Sequence, residues 1–231
     1  APQIHEDAPN YQGFHWVAEG GDTDAAFAAA DVMVKDTILQ QRLIPNAMEP
    51  RSAVANWTGA MGELTLWSTS QNPHIVRFLA SLVTGIGEHK IRVIATEVGG
   101  GFGSKVPMYA DEMITSFCSM QLGRPVKWTA TRSEGFQATI HGRDHVEHVE
   151  MAATREGKIT AIRTVIYAGM GAYLSTAAPG VPTILHGLIY SGPYDIGATK
   201  ADVSGVFNNA TPVDAYRGAG RPEATFLIER L

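Results

Sequence analysis

The chain is poor in cysteine: Cys118 is the single one in 231 residues. One thiol excludes an intrachain disulfide and any all-cysteine zinc or iron–sulfur site built from this chain alone. Its isolation fits a reducing, cytoplasmic compartment. No apolar run reaches the roughly 18 residues of a membrane span, no secretory signal is visible, and a start at Ala1 leaves a processed or cut end open. Basic runs are missing too. With 18 Lys and Arg against 23 Asp and Glu, the net charge of −5 makes nucleic acid a poor partner. Charged residues are 18% and hydrophobic ones 45%, which suits a globular protein with a substantial core, one large or two small domains. There is no repeat and no low-complexity tail.

What is present reads as mixed structure. Residues 22–31 (DTDAAFAAAD) predict a short helix capped by Asp22 or Thr23. Residues 32–41 and 61–71 alternate like strands, and 73–84 predict a helix opened by Pro73 and stopped by Gly85. Residues 90–98 predict a strand running into a glycine loop. Beyond the loop a helix is expected from Pro107, with Met113, Phe117 and Met120 on one side and Gly123 as its stop. A strand is expected at 125–132, a hairpin at 144–154 and 158–169 across the turn REG, and a strand at 201–209. Residues 169–200, rich in Gly, Pro and Ser, predict irregular surface or site-lining structure. A last helix opens at Pro222 with Phe226, Leu227 and Leu231 as its apolar face, and it meets no stop signal. The expectation is a piece of a longer polypeptide. Strands and helices mix without a strict βαβ rhythm, so the fold class is α+β.

Two glycine loops stand out. Residues 98–105 read VGGGFGSK, four glycines in eight positions. Such a cluster costs entropy to order and so needs a local reason. The order Gly103-Ser104-Lys105 is wrong for a phosphate-binding P-loop, and G-x-G-x-x-G cannot be laid on Gly99, Gly101 and Gly103. Strand, loop and helix in sequence would still aim backbone N–H groups at one spot. The plainer reading is a tight turn with Phe102 plugging the core. The second loop, AYRGAGR (215–221), sets two arginines around Gly218 and Gly220, and arginine is a bidentate donor to phosphate and oxo groups.

VGGGFGSK, AYRGAGR, SQNPHIVR (70–77) and AMEPR (47–51) together resemble the molybdenum-cofactor-binding large subunit of the xanthine dehydrogenase / aldehyde oxidase / aerobic carbon monoxide dehydrogenase family. The resemblance covers essentially the whole chain. It implies that residues 1–231 form the first part of the molybdopterin-binding region, with two subdomains allowed and the C-terminal half absent. It implies a site in which Gln71 lies beside the molybdenum's oxo ligands, Gly100, Gly101, Phe102 and Gly103 line the metal centre, and Arg217, Gly218 and Ala219 approach in the second loop. Gln71, Phe102 and Arg217 would be the catalytic group. No residue would bind molybdenum directly, because the pterin dithiolene does so. The reaction implied is base-assisted hydroxylation of an electron-poor carbon in an aldehyde or N-heterocycle. The cofactor would be in its cytosine dinucleotide form. Electrons would leave through iron–sulfur clusters and FAD on other subunits or domains, in an oligomer of heterotrimers. The general base, a glutamate, is expected beyond Leu231, so the chain alone should be inactive.

Departures from the family narrow this. Purine-oxidising members carry a glutamate where this chain has Val106 and an aromatic where it has Ala219. True carbon monoxide dehydrogenases have Cys-Ser-Phe at the positions of Gly218, Ala219 and Gly220, so a copper–molybdenum site is not implied. AYRGAGR resembles the form II group. Two other readings stay open: a non-catalytic anion- or nucleotide-binding module using the same loops, and a structural fragment with Phe102 buried and the arginines in solvent.

Other polar residues read more plainly. In HGRDHVEHVE (141–150), His145 and Glu147 share a face by period two, whereas His141, His145 and His148 do not all share one. The expectation there is a polar strand in a sheet or interface, with a metal site as the rarer case. His186 is expected to line a funnel or sit in solvent or core. Asp111 and Glu112 complement a helix dipole. Cys118 is an inert core residue.

Overall fold

A computed structural model describes residues 3–231. In chain order the elements are β1 (Gln12–Gly20), α1 (Thr23–Ala28), β2 (Val32–Gln40), β3 (Ser52–Thr58), β4 (Glu63–Ser68), α2 (Pro73–Thr84), β5 (Ile91–Ile94), α3 (Ala110–Leu122), β6 (Val126–Thr129), α4 (Arg132–Ala138), β7 (His145–Ala153), β8 (Ile159–Gly171), β9 (Ala198–Phe207) and α5 (Arg221–Arg230). The α+β class holds. The chain divides into two compact units, one of residues up to Ile44 with Ile140–Leu231, the other of Pro45–Thr139.

The first unit is a five-stranded sheet in the order β1-β9-β8-β7-β2. Neighbours are antiparallel except β8 and β9, which run parallel. The expected hairpin of β7 and β8 is present. Period two sends His145, Glu147, Val149 and Met151 of β7 into the core and leaves Val146 and His148 exposed. Parallel strands need a long crossover, and residues 172–197 provide it. That segment is not merely surface: Val181, His186 and Tyr190 are buried. With α5 it covers one face of the sheet, joining Ile162, Leu227 and Ile228 in the core. On α5 the buried positions are Glu223, Ala224, Leu227 and Ile228. Phe226, expected among them, is exposed, because a stripe through 224, 227 and 228 turns it away. Asp22 caps α1 as expected, its Oδ1 accepting from Ala25 N at 2.9 Å.

The second unit is a four-stranded sheet, β5-β4-β3-β6, with β4 and β5 parallel. Its core is Ala53, Ala55, Leu64, Leu66, Val76, Ala80, Ile91 and Met113. Gly85 ends α2 at φ 72° and Gly123 ends α3 at φ 62°, left-handed turns that glycine adopts without strain. Two expectations fail here. The strand before the glycine loop ends at Ile94, not 98, and the helix after it begins at Ala110, not Pro107. The apolar stripe of α3 is also misplaced: Phe117 is exposed, and Ser116 and Ser119 are fully buried beside Met113. The Ser119 hydroxyl accepts from Trp57 N of β3 at 3.0 Å and donates to Arg124 O at 2.8 Å. Small hydroxyl side chains let helix and strand backbones approach, and that contact outranks the apolar pattern. Cys118 beside them is half-buried, not a full core residue. The expectations also leave out β1, β3 and α4.

Candidate functional site

In the second unit, Gln71 and the first glycine loop form one structure. Gln71 follows β4, two residues before Pro73 opens α2. Its Oε1 accepts from Gly103 N at 2.9 Å and from Lys105 N at 3.3 Å, and its own N–H donates to Lys105 O at 2.8 Å. The side chain passes over Gly101 so closely that a Cβ there would lie 2.3 Å from Gln71 Oε1. Gly100 (φ 93°), Phe102 (φ 54°) and Gly103 (φ 104°) take positive φ, on either side of Gly101. Phe102 pays strain for its position and, at 39% exposure, does not plug the core. The tight-turn reading that buries it is therefore wrong. α3 itself begins at Ala110, beyond the loop, and Glu112 Oε2 accepts from the N-cap Tyr109 N at 2.8 Å.

The AMEPR stretch braces this loop from behind. Glu49 Oε2 accepts from Gly99 N at 2.8 Å and from Lys105 Nζ at 2.7 Å. Arg51, almost fully buried, pairs with Asp111 at 2.6 Å and lies 4.0 Å over the Tyr109 ring, while Tyr109 Oη donates to Ser104 O at 2.6 Å. Asp111 and Glu112 thus serve Arg51 as well as the helix end. Burial pushes the Glu112 carboxyl up, against the pull of Arg51 and the Tyr109 N–H. The crevice behind the loop measures about 20 Å³, room for a water and not for a ligand. Glu49 and Arg51 were not singled out as site residues, although the quoted motif contains both.

The Glu49 tie carries a pH dependence. Burial raises its carboxyl, but hydrogen bonds from Lys105 and Gly99 and the ammonium charge outweigh that and hold it below the ordinary range. A depressed folded-state value stabilises the fold above the unfolded value of about 4.3 and is lost as pH falls through the lowered one. Glu49→Gln should therefore lower the melting temperature at pH 6, and the difference from wild type should shrink below about pH 4. Thermal unfolding across that range checks it, and a difference independent of pH would refute the tie.

In the first unit, Arg217, Gly218 and Ala219 form an exposed turn that leads directly into α5. Gly218 (φ 98°) and Ala219 (φ 40°) are left-handed, and a Cβ on Gly218 would meet Pro222 at 2.6 Å. Arg143, unremarked in the sequence, holds this loop. Its guanidinium donates to Tyr216 O at 2.8 Å and Arg217 O at 3.0 Å, and it pairs with the fully buried Glu223 at 3.4 Å. The one local signal is Gly142, where a Cβ would lie 2.4 Å from Tyr216 Cβ.

The HGRDHVEHVE reading needs correction. His145 and Glu147 do share a face, but it is the core face, and His186 joins them; all three are buried. Burial lowers both imidazoles to about 4 and raises Glu147 to about 6. His186 therefore lines no funnel in this structure. The first unit also has a cleft of about 630 Å³ on the other face of its sheet, edged by Lys35, His148, Glu150 and Arg163. Its charges pair with one another, Arg163 with Glu150 at 2.5 Å and with Asp24 at 3.5 Å, and it holds no expected site residue.

The α+β architecture holds two glycine loops, one pinned by Gln71 and the other by Arg143, and neither is a P-loop or a dinucleotide fingerprint. Comparison names it: the family model of the molybdopterin cofactor-binding domain matches residues 4–231. The chain belongs to that family. It is 40% identical over 220 residues to the carbon monoxide dehydrogenase large chain of Afipia carboxidovorans, covering 94% of this chain and 27% of that protein. It is 35% identical to the 6-hydroxypseudooxynicotine dehydrogenase complex subunit gamma of Paenarthrobacter nicotinovorans, covering 91% and 26%. Among solved structures it matches quinoline 2-oxidoreductase from Pseudomonas putida 86 with a TM-score of 0.90 at 25% identity, covering 99% of this chain and 31% of that one. The chain thus spans about a quarter to a third of the length of these three relatives. No helix among the described residues is long and apolar enough to cross a membrane.

Proposed function

We propose that this chain is the first part of the cofactor-binding region in the catalytic large subunit of a molybdenum hydroxylase. The observation that carries the reading is the lock of Gln71 over Gly101 and onto the amides of Gly103 and Lys105, which fixes a backbone edge with Phe102 exposed beside it. That edge fits a group that must come close to main chain, and the absence of thiol ligands fits a metal held by its own pterin. The reading assigns Gln71, Gly100, Gly101, Phe102 and Gly103 of the second unit to cofactor binding, and likewise Arg217, Gly218 and Ala219 of the first. When bound, the molybdenum centre supplies two-electron oxidation. This chain's part is to orient: Gln71 fixes the loop amides, Phe102 limits water, and Arg217 offers a fixed positive charge to oxygen-rich groups.

The substrate class is an aldehyde, N-heterocycle or similar small molecule. The relatives' names cover carbon monoxide, a nicotine derivative and quinoline, so the shared fold does not select among them. Gly218 offers no sulfur for copper, which weighs against carbon monoxide. The fuller proposal includes the cytosine dinucleotide form of the cofactor, iron–sulfur and flavin partners in an oligomer of heterotrimers, a cytoplasmic location, and a general base beyond Leu231, so that the chain alone does not turn over. The test is molybdenum and released pterin nucleotide per polypeptide in the full-length protein, with dye-coupled oxidation of an aldehyde and N-heterocycle panel. One molybdenum and one pterin per chain are expected. Nucleotide binding by a protein that contains neither would instead establish the anion-binding module.

A further inference from the structure

We infer that His145, Glu147 and His186, none of them in either glycine loop, form a site for a divalent transition-metal ion of the zinc type. The side chains come from β7 and from the crossover segment, and each is fully buried. Both histidines turn Nδ1 toward one atom, Glu147 Oε1, at 3.2 Å from His145 and 3.5 Å from His186. All three ligand atoms lie within 4.8 Å of one another. Donors about 2.0–2.1 Å from a tetrahedral ion sit about 3.3–3.4 Å apart, so two of the edges already have the required length. Two imidazoles and a carboxylate are a donor set that zinc accepts.

Unsatisfied polarity makes the case more than geometric. His186 Nδ1, one of the proposed donors, has no hydrogen-bond partner, although buried polar atoms rarely lack one, and His145 Nδ1 has only Glu147. Charge is also out of balance. Arg143 pairs with Glu223 and Arg42 with Asp144, while no lysine or arginine among the described residues pairs with Glu147. Gln40 Nε2 donates to Glu147 Oε2 at 3.2 Å, and so leaves Oε1 turned toward the histidines as an outer support would. The ion would tie His186, in the long irregular crossover, to the centre of the sheet, and thereby fix the segment that packs under α5.

The test uses protein expressed with Zn²⁺ supplementation and, separately, with Co²⁺. Zinc per chain is read by elemental analysis and native mass spectrometry, and cobalt by its absorption spectrum. One tightly held ion per chain is expected, with the intense bands of four-coordinate cobalt. His186→Ala should lose the ion, and Glu147→Gln, close in shape and so safer for folding, should weaken it at least 100-fold. His148→Ala, on the exposed face, should leave uptake unchanged. Substoichiometric metal in the wild type overturns the site. So does uptake that survives Glu147→Gln, which would place the ion elsewhere. Molybdenum content is measured in the same samples, so failure of the zinc site and failure of the cofactor reading are separable.

Discussion

Gly101→Ala should reduce molybdenum and pterin content of the full-length protein at least tenfold. The added methyl would lie 2.3 Å from Gln71 Oε1 and 2.8 Å from Gln71 Cγ, so the glutamine must swing away. Swinging breaks its hydrogen bonds from Gly103 N and Lys105 N. Two net hydrogen bonds amount to about 1–3 kcal/mol, so the fold should survive with a lower melting temperature. The larger effect falls on binding, since the edge that the cofactor approaches is no longer held by Gln71. Gln71→Ala separates the two causes: it frees the loop amides without adding bulk. Both variants are read by elemental analysis beside thermal unfolding. Full molybdenum occupancy in Gly101→Ala would refute the assignment of this edge to the cofactor.

Arg143→Ala is expected to cost the first unit about 3–5 kcal/mol, the usual result of stripping the partner from a buried charge. Glu223 is fully buried, and Arg143, with 11% of its side chain exposed, supplies its cation. The same substitution releases the carbonyls of Tyr216 and Arg217, so the second glycine loop loses its anchor. The double variant Arg143→Ala/Glu223→Gln should recover a substantial part of the stability, because no charge is then left alone. It should not restore the loop, and hydrogen exchange at the amides of Gly218 and Ala219 should stay fast. Urea unfolding of the wild type, Arg143→Ala, Glu223→Gln and the double variant checks the first statement, and exchange checks the second. A loss below 0.5 kcal/mol, the range of ordinary surface changes, would mean that the pair is not a support.

Much of the local structure was legible because it depends on neighbours in the chain. Asp22 caps α1, Gly85 and Gly123 end α2 and α3, and the β7–β8 hairpin closes over REG, all through interactions spanning a few residues. The family was legible for a different reason: the motifs that carry it are short, contiguous and glycine-rich, so they survive as words in the sequence.

What the chain brings together from afar was not legible. Glu49 reaches Lys105 and Gly99, Arg143 reaches Tyr216 and Arg217, and His186 reaches Glu147. Periodicity could say that His145 and Glu147 share a face. It could not say that the face is the core one, since that follows from which side of the sheet the crossover and α5 cover. The same limit misplaced Phe117 and Phe226, whose stripes were set by the approach of β3 and of the sheet rather than by hydrophobicity. The sequence by itself determined the class, the family and the caps, because those follow from local backbone geometry and short motifs. Tertiary structure alone decided which charges are buried and what pins each glycine loop, because burial and long-range pairing depend on surfaces contributed by residues tens of positions away.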